Sequence, residues 1–182
     1  THDRRGLRVA ISPTLGTAVV RDEVQARVVA AGEALARDAG LTVVDLDVAL
    51  PKLDVAWALG NLAGLRMDLE GLWPECRDLL TKEIAFGLDM AEQLVNLESN
   101  ARGEATRIEA NEAMAAVFDQ VDLLICATNP DVAFPAHVTA NTRVGDQKVD
   151  LGNNGALTIP ANISGNPAVS IPIEPLDGLP VG

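Results

Sequence analysis

The chain has 182 residues, 48% of them hydrophobic, with a formal net charge of −12 and a pI near 4.4. This length suits one ordinary domain and this composition can fill a core, which excludes a disordered chain. Three lysines in so acidic a chain argue against nucleic acid and anionic membrane surfaces as partners, and no apolar run nears the ~20 residues that span a bilayer.

The first element in chain order is Leu7–Ser12, "LRVAIS", partly β-branched and read as a strand. From Asp22 to Ala39 the apolar residues Val24, Val28, Ala31 and Leu35 fall on one helical face, and Gly40 stands where a left-handed cap belongs. "LTVVDLDV" follows as a second strand. Strand, helix and strand of these lengths predict a βαβ unit with a parallel pair and a right-handed crossover.

From Leu53 to Phe118 the pattern is helical, punctuated by Pro74 and Gly87, with Leu97–Gln120 as one long helix. "VDLLICAT", Val121–Thr128, is a continuous apolar run, as expected of a strand buried on both faces. A stretch of about thirty residues, Asn129–Leu157, then carries few secondary-structure signals. Loops this long are usually functional or disordered, and this one follows the C-terminal end of a buried strand, where α/β sheets bind ligands. Thr128, Asn129, His137, Asn153 and Asn154 are therefore expected to face a substrate cleft. "AVSIP", Ala168–Pro172, reads as a fourth strand of the same sheet, and Leu176–Gly178 as a hairpin turn.

The chemistry is sparse. None of Ser12, Ser99, Ser164 and Ser170 sits in a GxSxG elbow, and His137 is the single credible imidazole. No His/Cys/carboxylate cluster has metal-ligand spacing, "GNNG" at Gly152–Gly155 lacks the setting of a dinucleotide fingerprint, and no cofactor is expected. Cys76 and Cys126 lie far apart in apolar surroundings and read as inert thiols. Arg4 and Arg5 precede no apolar signal region, which points to a cytoplasmic protein.

One pattern is specific. Thr158, Pro160, Asn162, Ser164, Gly165, Pro167, Ala168, Ser170 and Pro172, followed by Gly178-Leu179-Pro180-Val181-Gly182, resemble in order the C-terminal part of the amidase signature family. "RRGLRVAISPTLG", "GEALARDAGLTVVDLDVALP" and "DQVDLLICATNPDVAFP" are similar to other family segments, with Ala127 in place of the usual Pro. Each motif residue also has a local job. Pro160 suits a first helical turn, Gly165 can end that helix at positive φ, and Pro167 and Pro172 bracket a strand whose Ala168 and Ser170 allow close packing.

The resemblance implies an α/β fold with a mixed, mainly parallel sheet covered by helices on both faces, part of a larger amidase-signature fold. It implies hydrolysis of carboxamide C–N bonds by a Ser-Ser-Lys triad that belongs to a Gly/Ser-rich segment and a lysine segment. Neither segment is present here, and Lys52, Lys82 and Lys148 lie in other contexts, so no catalytic residue is assigned. With its first residue Thr rather than Met and a last strand hardly begun, the chain is expected to be a single partial domain over 1–182, the central and C-terminal part of an amidase, inactive alone and supplying scaffold and pocket wall. Its expected partners are a small-molecule amide and, through exposed sheet edges, a second copy or another polypeptide. Two alternatives stand beside this reading: a non-catalytic α/β module binding a small polar ligand through His137, Asn141, Asn153 and Asn154, and an interaction subunit whose partner supplies the catalytic half.

Overall fold

The computed structural model describes residues 5–53, 55–138 and 140–182. Its contacts divide the chain into two compact units, one of Thr1–Lys52 with Ala110–Gly182 and one of Leu53–Glu109.

The first unit is built on a three-stranded parallel sheet. β1 (Arg8–Ile11) is central and pairs with β2 (Thr42–Val43) and β3 (Leu123–Ile125), giving the order β2-β1-β3. The registers are Arg8↔Thr42 and Val9↔Val43 on one side, and Val9↔Leu123 through Ile11↔Ile125 on the other. Arg8 and Asp122 lock the second pairing: the Arg8 amide donates to Asp122 Oδ2 at 2.8 Å, the Asp122 amide returns a bond to Arg8 O at 2.9 Å, and the side chains form an ion pair at 3.3 Å.

The connection from β1 to β2 runs through α1 (Asp22–Ala39), which is the expected βαβ unit. Asp22 and Glu23 in its first turn and Arg37 in its last complement the helix dipole. Gly40 closes it at φ 67°, with Leu41 N donating to Ala36 O at 2.8 Å, the glycine-dependent end anticipated from sequence. The buried face differs from the expected one. It consists of Val24, Val28, Gly32 and Ala36, while Leu35 is exposed. The reason is Gly32: a Cβ there would fall 3.0 Å from Ile11 Cδ1, so the glycine sets the distance of α1 from β1 and pulls the stripe onto itself. Val24 and Val28 join Ala10, Leu15, Val20, Val48, Met114, Val121 and Ala127 in one continuous core.

The second unit contains α2 (Val55–Asp68), α3 (Lys82–Leu94) and the start of α4 (Leu97–Phe118). Thr81 caps α3 by accepting from Ile84 N, and α4 begins with a reciprocal cap in which Asn96 N donates to Ser99 Oγ at 2.8 Å and Ser99 N to Asn96 Oδ1 at 2.9 Å. Gly87 does not punctuate the helices as expected; it lies inside α3, where a Cβ would sit 3.0 Å from Leu62 Cδ2, so its lack of a side chain serves α2–α3 packing. Trp73 Nε1 and Arg66 Nε both donate to Glu92 Oε1, at 2.8 and 2.9 Å. In the first unit, the last turns of α4 bury Ala110, Met114 and Val117.

Two further expectations are corrected. The long segment after β3 is not without structure: it holds an antiparallel hairpin, β4 (Arg143–Val144) and β5 (Gln147–Lys148), and a 3-10 turn at Leu151–Asn154. Ala168–Pro172 forms no strand of the sheet among the described residues; its residues are exposed and in no ladder. The short helix before it is present as α5 (Ile159–Ser164), with Pro160 in its first turn and Gly165 ending it at φ 69°.

Candidate functional site

The C-terminal end of β3 is where the expected site begins. Ser12 N donates to Ile125 O at 2.8 Å and Ala127 N to Pro13 O at 3.3 Å, so the chain leaves β1 and β3 side by side. Thr128 follows. Its amide donates to Gly182 O at 2.9 Å, and its hydroxyl lies 2.8 Å from Ser170 Oγ. This hydroxyl pair joins the candidate region to the motif Thr158–Gly182. Gly182 is packed against it, since a Cβ there would fall 2.9 Å from Ser170 Oγ and 3.2 Å from Thr128 Oγ1.

Asn129 and His137 are exposed, His137 in a turn closed by Val138 N donating to Pro135 O at 3.0 Å. Asn153 and Asn154 point elsewhere and act on the backbone. Asn153 is buried; it accepts from Val19 N at 2.8 Å and donates to Val19 O at 2.9 Å, as a neighbouring strand would. Asn154 treats Asn141 in the same way, accepting from its amide and donating to its carbonyl, both at 3.0 Å, and donates again to Leu151 O at 3.1 Å. The donors of Asn154 are thereby used up. Of the five expected residues, two present themselves to solvent, one forms a hydroxyl pair, Asn153 fastens the segment to Val19 and Asn154 braces the segment internally.

Sequence reasoning missed the group that does most of this fastening. Arg21, just before α1, pairs with Glu23 at 3.0 Å, Asp131 at 3.4 Å and Asp177 at 2.9 Å. Its amide donates to Pro130 O at 2.9 Å. Bonding first to Glu23, and then to Asp177, raises the guanidinium pKa above its ordinary value, and the bond to Arg21 holds the Glu23 carboxyl below its usual range. Asp131 passes the connection on, accepting from Val132 N at 2.8 Å and Gly145 N at 3.4 Å. Lys52 fixes the far end through Asp150 at 2.5 Å, which holds that carboxyl low, and Asp150 caps the turn by accepting from Asn153 N at 3.2 Å. The sequence around Arg21 carries no signal of such a hub, because Asp131 and Asp177 lie more than a hundred residues away from it.

A hydroxyl pair becomes a nucleophile when a base abstracts its proton, and no described lysine or histidine is bonded to Thr128 or Ser170. Among the described residues no group of three or more His, Cys, Asp and Glu could hold a metal ion. Burial lifts the Cys126 thiol to about 11, consistent with an inert thiol. A shallow groove elsewhere in the unit, lined by Ala26, Arg27, Ala30, Ala31 and Glu174, contains none of the five residues.

Comparison with known proteins decides the family. The Amidase family model matches residues 1–182. This chain belongs to the amidase family. It is 30% identical over 208 aligned positions to a glutamyl-tRNA(Gln) amidotransferase subunit of Chloroflexus aggregans, covering 100% of this chain and 41% of that protein. The amidotransferase subunit of the same name from Acidothermus cellulolyticus is 43% identical over 70 positions, 37% of this chain and 13% of that one. Among solved structures, a bacterial aryl acylamidase of the amidase signature enzymes superposes with a TM-score of 0.75 at 22% identity, covering 98% of this chain and 39% of the other. A protein from a vestigial complex related to an s-triazine catabolic enzyme gives a TM-score of 0.67 at 21% identity, covering 97% of this chain and 38% of the other. The mixed α/β fold with its parallel sheet is thus the amidase signature fold, and the chain spans about two fifths of the length of the relatives it matches from end to end. No helix among the described residues is long and apolar enough to cross a membrane.

Proposed function

We propose that the chain is the central and C-terminal portion, one partial domain, of an amidase-type hydrolase that cleaves carboxamide C–N bonds. The reacting serine, its bridging serine and its lysine base lie in polypeptide outside residues 1–182. That serine adds to the amide carbonyl, the base takes its proton and passes it to the departing amine, and water then releases the carboxylic acid and restores the serine. Backbone N–H groups stabilise the oxyanion. The residues in hand supply scaffold and one wall of the pocket: Thr128, Asn129 and His137 face substrate, and Asn153 and Asn154 shape the wall by holding it. The observation that carries this reading is the family match along the whole chain combined with a Thr128–Ser170 hydroxyl pair that has no base bonded to it among the described residues. The parent acts in the cytoplasm.

A second reading is favoured by the relatives named as amidotransferase subunits: the parent is one component of a complex and hands on the ammonia it releases. One experiment separates these. The polypeptide of the whole reading frame and the 182-residue chain are assayed side by side on aryl and aliphatic carboxamides, with and without proteins that co-purify. Activity in the whole polypeptide and none in the chain supports the proposal. Turnover by the chain that falls in Ser170→Ala or His137→Ala overturns it, as does a whole polypeptide inert on every amide.

A further inference from the structure

One nitrogen atom of Arg21 joins two distant stretches of the chain. Nε and Nη2 donate to Glu23 Oε2 and Oε1, at 3.0 and 3.3 Å, a two-pronged pairing that fixes the plane of the guanidinium on the first turn of α1. Nη1 is left for the other carboxylates, and donates to Asp131 Oδ1 at 3.4 Å and to Asp177 Oδ2 at 2.9 Å. Asp131 lies in the stretch that Thr128 opens, and Asp177 in the turn that follows Ser170.

These links close a ring. From Asp131 the chain runs back through Pro130, whose carbonyl accepts from Arg21 N at 2.9 Å, to Thr128. Thr128 meets Ser170 across 2.8 Å between hydroxyls, and Gly182 O through its amide at 2.9 Å. Ile173 N donating to Val181 O, and the mutual bonds of Leu176 and Leu179, carry the connection to the turn at Asp177 and so back to Nη1. Without the cation the same geometry turns hostile. Asp131, with 14% of its side chain exposed, would confront Asp177 with no positive charge between them, and repulsion would part the two stretches that bear the hydroxyls. Asp177 also has a φ of 54°, left-handed for a residue with a side chain, and its bond to Nη1 helps to hold it there.

We infer that Arg21 is the positioning residue of the pocket wall: through Asp131 and Asp177 it sets the Thr128 and Ser170 hydroxyls side by side as one polar contact for the substrate amide. This rests on the reading above that Thr128 faces substrate. Of two hydroxyls bonded to each other, one spends its proton on the other, which keeps its own to give; the pair offers an outward donor and free lone pairs, a match for the C=O and N–H of a carboxamide. With no base bonded to it among the described residues, the pair grips the amide alike in ground and transition states. Its displacement weakens binding and leaves the chemical step alone.

The test is a double-mutant cycle in the whole polypeptide, with 4-nitroacetanilide, or the panel carboxamide turned over fastest, as substrate. Arg21→Ala and Thr128→Val should each raise KM about 5-fold, the loss of one hydrogen bond, with kcat within about 2-fold of the parent. The double variant should do no worse than the poorer single one, since one effect runs through the other. Arg21→Lys keeps a charge but loses the fork, and should raise KM as alanine does. Residue-resolved hydrogen exchange needs no substrate: the Thr128 amide should exchange at least about 10-fold faster in both Arg21 variants, while Val9, Ala10 and Leu124 exchange as in the parent. KM effects that multiply in the double variant overturn the inference, as does a fall in kcat with KM unchanged. Parent-like KM and Thr128 exchange in Arg21→Lys overturn it too. So does faster exchange at Val9 and Leu124, because Arg21 then serves the whole unit. A polypeptide inert on every carboxamide, whose Thr128 amide still loosens in the Arg21 variants, removes the proposed activity and leaves Arg21 as the residue that positions the pair.

Discussion

Asn153 has one side chain and two obligations: it must satisfy both the N–H and the C=O of Val19, from 134 residues away. Asn153→Ala leaves both groups without partners in a buried place, at about 1–3 kcal/mol for each orphan. Chemical denaturation should show a loss of about 2 kcal/mol or more, and a variant within about 0.5 kcal/mol of the parent chain would mean that water replaces the amide at no cost. Arg21 is a second such residue. Replacing it by alanine frees Asp131 and Asp177 together, and lysine cannot serve, since one ammonium lacks the fork that meets three carboxylates. In both variants proteolysis should cut first between residues 131 and 145, and an unchanged cleavage pattern would deny Arg21 its role as the fastener. Neither residue was readable in advance. An asparagine in a polar loop looks the same whether it binds ligand or backbone, and only the folded path brings Val19 to it.

Charge at the residue scale also fixes a pH dependence. Arg8 holds Asp122 below the usual carboxylate range, Lys52 does the same to Asp150, Arg21 to Glu23, and Arg107 to Glu104. Each is depressed in the folded state, so its contribution is complete above the unfolded value near 4 and is lost as pH falls through the folded value. Cys126 acts in the opposite direction: its folded value is raised from 9.0 to about 11, so its contribution is complete below 9 and is lost as pH rises through 11. Denaturation midpoints should be level between about pH 5 and 8, fall below about pH 4, and fall again above about pH 9. In Cys126→Ala the alkaline fall should shrink; an identical alkaline limb would assign it to another group.

At the scale of elements, α1 was legible because its signals are local. Its periodicity, its acidic start and Gly40 all sit within eighteen residues and a cap. Its exact face was not legible, because Gly32 takes its place opposite Ile11 only once β1 is there. The last expected strand failed for a related reason: Ala168–Ile171 has strand composition, but a strand exists only when a neighbour pairs with it. Glycines give the sharpest tests here. Gly16 has φ +71°, and a Cβ on it would lie 2.2 Å from Val48 O, a backbone atom that cannot swing aside. Gly40 has φ +67° but meets only the Arg5 side chain, at 3.0 Å. Gly40→Ala should therefore cost about 1 kcal/mol, the left-handed penalty alone, and Gly16→Ala distinctly more. Equal losses in thermal melts would show that the turn at Gly16, or the backbone at Val48 against it, yields freely.

The whole molecule divides its apolar burial unevenly between its two units. Among the described residues, fifteen buried ones form one cluster in the unit of the sheet, whereas those buried and apolar between Leu53 and Glu109 are Leu59, Trp73, Ala85, Leu88 and Ala91. Helices with so little buried surface gain less from packing against the chain entropy they lose, and Met67, Leu72, Leu79 and Phe86 stand exposed in the same unit. The helical unit should accordingly open first. The two tryptophans provide the means to see it, because Trp57 and Trp73 both lie in that unit. In a urea titration of the 182-residue chain, tryptophan fluorescence should change at a lower midpoint than the exchange protection of Val9, Ala10 and Leu124 in the sheet. Trp73→Phe, which removes the bond to Glu92, should lower the first midpoint and leave the second in place. If fluorescence and sheet protection fall together in both proteins, the two units unfold as one and the sheet depends on the helices between Leu53 and Glu109.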